Sequence, residues 1–191
     1  MRSIALSLIV LFGASTGAVG QARPNVSVEG GDAAVTYHWM RSNAQPGDCG
    51  CFYLNGGGVS GSWNVRPQFA VVSEIAAEHT ANGPSGDSLT LSSYLAGARY
   101  ILPQRGPRGL QPFVQMLVGA EHAGGGIAGA GDGTFAFATR MGGGVDLPVA
   151  SHFAFRLQAD YDLTTFQNTT NTHQNNLLLG AGIVYRWSNE K

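Results

Sequence analysis

From Phe153 to Leu163 every second side chain is apolar: Phe153, Phe155, Leu157, Ala159, Tyr161 and Leu163 alternate with Ala154, Arg156, Gln158, Asp160 and Asp162. Successive side chains of an extended strand point to opposite sides of a sheet, so a period of two marks a strand with one apolar and one polar face. The last run repeats the pattern. Leu177, Leu179, Ala181, Ile183, Tyr185 and Trp187 share one parity, with Gly180, Gly182 and Arg186 on the other. The same reading, with more noise, predicts eight strands: Val26 to Trp39, Leu54 to Asn64, Phe69 to His79, Leu89 to Leu102, Pro112 to Ala123, Phe135 to Leu147, Phe153 to Phe166 and Leu177 to Trp187. An even number brings both chain ends to one side, and these lengths suit a tilted membrane crossing.

Alternation by itself fits a soluble β-sandwich, with its apolar parity against a second sheet, as well as a membrane barrel, with that parity against lipid. The connections favour the barrel. Val65 to Gln68, Pro103 to Gly109 and Pro148 to His152 are short, and Pro interrupts ladders there. They predict periplasmic turns. Between them, Arg41 to Tyr53, Thr80 to Ser88, Gly124 to Thr134 and Gln167 to Asn176 are rich in Gly, Asn, Ser, Thr and Asp. These predict extracellular loops, because outer-membrane barrels alternate short turns with longer loops. The first 22 residues have the form of a Sec signal peptide, with Arg2, an apolar stretch from Ile4 to Phe12, and small residues permitting cleavage after Gly20 or Ala22. Residues 23–191 are then one domain.

Charged residues are 12% of the chain, about half of the roughly 25% usual in soluble proteins. The net charge of -1 supplies no basic face for nucleic acid. The 28 glycines fall inside the alternating runs, as in tightly curved sheets. Cys49 and Cys51 are expected to be loop residues. A bridge between them would close a small strained ring, and no second thiol pair or paired His lies nearby in sequence to complete a metal site.

With apolar residues outward, the other parity gathers Glu74, Glu78, Arg99, Glu121, Arg140, Arg156, Asp160, Asp162 and Arg186 in the lumen. Both signs occur, so ion pairing and packing are expected rather than an open pore; the alternative is a proton or ion route along the same carboxylates. His38, His79 and His122 fall near one rim, and His173 lies in a loop, which raises a metal site; the outward parity of His79 and His122 argues against it. His79 with Ser85, Asp87 and Ser88 is the nearest approach to a hydrolytic set, in a polar loop that fixes no geometry. Gly124 to Gly126 precede a strand and lack the Lys of a phosphate-binding loop. No cofactor is predicted. Trp39, Trp63, Tyr100, Tyr185 and Trp187 near strand ends suit interfacial girdles.

The signal peptide, the eight-strand plan, the strand Gly180-Ala181-Gly182-Ile183-Val184-Tyr185-Arg186-Trp187 and the turn Leu147-Pro148-Val149-Ala150-Ser151-His152-Phe153 resemble the small bacterial outer-membrane β-barrel superfamily, which includes the transmembrane domain of outer membrane protein A. The resemblance implies an all-β, eight-stranded antiparallel up-and-down transmembrane barrel and a cell outer membrane location. It implies outer-membrane lipid and the barrel assembly machinery as partners, and a monomer. Members usually end on an aromatic residue that the assembly machinery reads; here Trp187 is followed by Ser188-Asn189-Glu190-Lys191. No peptidoglycan-binding domain is predicted, so the anchoring role of longer relatives is not expected. The expected function is structural or surface contact, not enzymatic, with an unassigned loop partner. A narrow channel, a lipid-modifying enzyme and a soluble ligand-binding barrel stay open as alternatives.

Overall fold

The computed structural model describes residues 30–43, 51–82, 88–104, 109–125, 134–166 and 173–188. They form eight strands: β1 Gly30–Asn43, β2 Cys51–Arg66, β3 Phe69–Thr80, β4 Leu89–Ile101, β5 Gln111–Gly125, β6 Thr134–Pro148, β7 Phe153–Thr164 and β8 Gln174–Ser188. Each pairs antiparallel with the next, and β8 returns to β1, giving a closed barrel. The predicted signal peptide and Val26 to Glu29 lie outside the described residues. Among the described residues no helix is long and apolar enough to cross a membrane.

The strands at the loop end are longer than the alternation suggested. β1 runs past Trp39, and β2 begins at Cys51, which pairs with Asn43. Cys51 is therefore a strand residue and not a loop residue; Cys49 lies outside the described residues. The ladder continues there because antiparallel hydrogen bonding needs no apolar face once one partner strand is in place. At the other end Pro67 and Gln68 join β2 to β3 next to a register shift between Asn64 and Arg66. The β6–β7 turn is closed by the Val149 amide on the Phe153 carbonyl at 2.9 Å.

Following the pairings once round, Gly31 leads through Trp63, Val71, Ala98, Met116, Met141, Tyr161 and Leu177 back to Arg41, ten residues along β1. With eight strands, that stagger fixes a tilt of roughly 41° and a radius of about 8 Å. A cylinder of that width is filled by its own side chains.

The two parities go where a membrane protein needs them. Along β3 and β7 exposed and buried residues alternate without a break from Phe69 to Glu78 and from Phe153 to Asp162. Val35, Ile183, Phe155 and Leu157 are exposed on the outer wall, Ile183 at 60%, whereas Arg156 and Asp160 are each 1% exposed. A water-surrounded barrel would reverse this arrangement. The soluble ligand-binding barrel is thereby set aside. Aromatic contacts gather near both ends of the wall: Trp39 stacks on Tyr53 at the loop end, and Phe69 meets Tyr100 and Phe153 meets Tyr185 at the end where β1 starts and β8 ends.

Candidate functional site

The chemistry of the chain is concentrated in the lumen. The first set of contacts joins residues directly opposite on neighbouring strands. Arg156 donates from Nε and Nη2 to both oxygens of Asp146, at 2.8 and 2.9 Å. Arg140 donates from Nε and Nη2 to Asp162 Oδ2. Arg99 donates from Nε and Nη2 to Gln115 Oε1 at 3.2 and 3.1 Å. Ser93 donates to Glu121 at 3.0 Å, and Ser62 to Asp32 at 2.6 Å. Fixed register brings such partners face to face.

A second set crosses the lumen and exists only because the sheet closes. Arg140 Nη1 reaches Glu74 on β3. Arg99 and Arg156 both reach Asp32 on β1, at 3.3 and 3.4 Å. Gln115 on β5 passes over β6 to Asp160 on β7 at 3.3 Å. His38 on β1 passes over β2 to Glu78 on β3 at 2.7 Å, while its other ring nitrogen lies 2.7 Å from the Thr36 hydroxyl. Crossing a strand requires that strand to be low. Beneath the histidine ring β2 presents Gly56 and Gly58; a Cβ on Gly58 would stand 2.9 Å from His38 Cε1 and 3.0 Å from the Ala76 methyl. Inward glycines thus mark the crossings.

The contacts sort into layers. At the end where β1 starts and β8 ends, Arg99, Arg156 and Arg186 face Asp32 and Asp146, and the Arg99 and Arg156 guanidiniums lie 4.6 and 4.8 Å from the centre of the Phe113 ring. A cavity of about 300 Å³ opens there, lined by Asp32, Arg99, Gln111, Phe113, Asp146 and Arg186. Nearer the loops lie Glu74, Glu78, Glu121, Arg140, Asp162 and His38. Met40, Leu54, Leu89, Leu91, Ala123 and Leu178 form an apolar cluster above them, with Phe52 and Phe166 against it. Met40, Leu54 and Leu178 have no exposed surface. Buried charges persist only when paired and hydrogen-bonded, and the bridges knit opposite walls together.

Each residue singled out for the lumen can now be placed. Glu74, Arg99, Glu121, Arg140, Arg156 and Asp160 are buried inside, and Arg186 stands at the inner rim, 27% exposed, with Nη2 on Asp146 at 2.6 Å. Sequence reasoning missed Asp32 and Asp146, the acceptors of the inner layer, although both share the inward parity of their strands. It also grouped His38 with the rim histidines. That is corrected: His38 has no exposed surface, because it alternates with the outward Tyr37 and Trp39. His79 does face out, hydrogen-bonded to Thr90 at 2.9 Å, and His122 packs on Phe135. Among the described residues no three His, Cys, Asp or Glu groups are placed to hold a metal ion. Ser85 and Asp87 lie outside the described residues.

An apolar outer wall, a lumen crossed by ion pairs and a ten-residue stagger over eight strands define the small outer-membrane type of β-barrel. No protein-family model matches the chain, and no curated protein matches it in sequence. Solved structures share the fold. Neisserial surface protein A aligns with a TM-score of 0.67 at 14% identity, covering 82% of this chain and 97% of that one. The N-terminal β-barrel domain of Pseudomonas aeruginosa OprF gives 0.53 at 13% identity, covering 82% and 99%. Ail, the attachment invasion locus protein of Yersinia pestis, gives 0.52 at 14% identity, covering 83% and 99%. The chain has the fold of the small eight-stranded outer-membrane barrels.

Proposed function

We propose that the protein is an integral outer-membrane barrel, monomeric and non-enzymatic, whose role is structural or surface contact through the loops at the end remote from the start of β1. The observation that carries this reading is the division of the side chains: an apolar wall exposed all round, and a lumen closed by Arg140 bridging Glu74 and Asp162 beneath the Met40, Leu54 and Leu178 layer. A filled interior leaves the outer wall and the loops as the surfaces able to meet a partner. Two proteins of the same fold carry names that speak of the surface and of attachment. Those words describe those proteins, and they agree with a loop-presenting role here.

Two measurements test the proposal. The folded protein is expected in the outer-membrane fraction, and its gel mobility should change on boiling. Recovery from the soluble fraction would refute the membrane assignment. In planar bilayers the purified barrel should give no discrete conductance steps, since ion pairs and an apolar layer cross the lumen. Steady steps that disappear when a lumen side chain is replaced would establish the narrow channel instead.

A further inference from the structure

The charges of the chain are sorted along the barrel axis. In the lumen layer where β1 starts and β8 ends, the guanidiniums of Arg99, Arg156 and Arg186 meet two carboxylates, Asp32 and Asp146. Asp160, the next acid along β7, lies four residues past Arg156 and accepts from Gln115 and Gln158. Three positive charges thus face two negative ones. Both carboxylates are already engaged: Asp146 accepts from Arg156 and Arg186, and Asp32 from Ser62, Arg99 and Arg156. The surplus of donors shows at Arg156, whose Nη1 is buried without an acceptor.

The sequence around this end adds to the surplus. Arg66 ends β2, and residues 102–110, between β4 and β5, carry Arg105 and Arg108 and no acid. The β6–β7 turn adds His152, and beyond the described strands Arg23 and Lys191 are offset by Glu29 and Glu190. At the opposite end the connecting segments 44–50, 81–88, 126–133 and 165–173 carry Asp48, Asp87, Asp132 and His173, with no Lys or Arg. Anions are therefore drawn to the first end and repelled from the second.

The cavity of about 300 Å³ at the first end gives such an anion a place. Its wall includes Arg99 on β4 and Arg186 on β8, strands four apart in a ring of eight and so on opposite sides of the lumen. Gln104 and Gln111 add amides to the wall, and Asn64 on β2 adds a buried Oδ1 that no donor reaches. A guest that satisfies this wall accepts from two guanidiniums and gives one hydrogen to Asn64. A carboxylate or a phosphate diester has no hydrogen to give. Monohydrogen phosphate has both, with three oxygens to accept and one hydroxyl to donate, and guanidinium forks match its oxygens. We propose that this chamber is a binding site for a phosphate group, as inorganic phosphate or the terminal phosphate of a monoester. The site lies at the end remote from the loops, and it stands whether or not those loops serve surface contact.

The test titrates inorganic phosphate into the full chain folded in maltoside micelles, at fixed pH and with ionic strength held constant by sodium chloride. Calorimetry gives the dissociation constant, and loss of the compact gel form gives the thermal midpoint. Phosphate at about one hundred times its dissociation constant should raise the midpoint by roughly 5–11 °C. R186Q, which leaves Asp146 paired with Arg156, should weaken binding at least tenfold. Q104E, which sets a carboxylate in the cavity wall at an exposed position, should weaken it severalfold and carries the test should R186Q not fold. R41Q, at the other end, should bind as the parent does. Dimethyl phosphate, a diester without the hydroxyl, should bind at least tenfold more weakly than phosphate. No saturable binding, or binding unchanged in the chamber variants that fold, overturns the proposal. Dimethyl phosphate binding as tightly as phosphate also overturns it, since the chamber would then suit a diester such as a lipid headgroup.

Discussion

Replacing Arg140 with methionine removes a guanidinium that has no exposed surface and leaves a side chain of similar length. Four hydrogen bonds go with it: one to Glu74, two to Asp162 and one to Ser93. Glu74 and Asp162 stay buried without their countercharge, beside Glu78 and Glu121. Breaking a buried pair by deleting one partner typically costs about 3–5 kcal/mol, because the surviving charge is stranded in low dielectric. For a chain of this size each kcal/mol moves the midpoint by about 2–4 °C. R140M should therefore lose its compact gel form roughly 6–20 °C below the parent. The double variant R140M/D162N, which neutralises one stranded carboxylate, should recover part of that loss. An R140M midpoint within a degree or two of the parent would refute the claim that this guanidinium holds the outer lumen together. So would a double variant no more stable than the single one.

Two further changes probe the wall and the crossings. Ile183 faces outward between Val35 and Phe155, so I183R should cost about 2–4 kcal/mol if it lies near the bilayer midplane, measured as reversible folding into lipid vesicles; no cost there would mean that this face does not meet acyl chains. Gly58→Val places a Cβ against His38 Cε1 and Ala76, and should cost about 1–3 kcal/mol by overpacking in urea titration; a neutral result would mean that the histidine does not cross β2 as described.

Much of this architecture was legible in the sequence. β7 alternates without a break from Phe153 to Asp162, and the parity that carries Arg156, Asp160 and Asp162 identifies the inner face of β7 without reference to any other strand. Lipid outside and side chains inside produce a period-two signal as clear as any half-buried strand. What could not be read was partnership. Arg140 with Asp162 depends only on the β6–β7 register, but Arg99 with Asp32 joins β4 to β1 and follows from the stagger of the closed cylinder. That stagger is not a local property of any strand. His38 was misplaced by attention to its position along the strand when its alternation with Tyr37 and Trp39 carried the answer. Asp146 lies within the predicted strand Phe135 to Leu147 on its inward parity, yet it was not counted among the lumen charges. The glycines of β2 were read only as a feature of a tightly curved sheet, and their place under the His38 crossing appears when that side chain is seen lying across them.

Closure of β8 on β1, sealed within the lumen by the Ser42 hydroxyl on Asn176, has a consequence for how the molecule is made. Those two residues are separated by 134 positions, so β8 completes the pairing of β1 only after the six strands between them are made. Until it arrives, β1 and β7 each carry a row of unmatched backbone groups, which hydrocarbon does not tolerate. Assembly is therefore expected to be all-or-none and slow to nucleate, since distant parts of the chain must meet before either is rewarded. A chain truncated before Gln174 should not yield a smaller stable barrel.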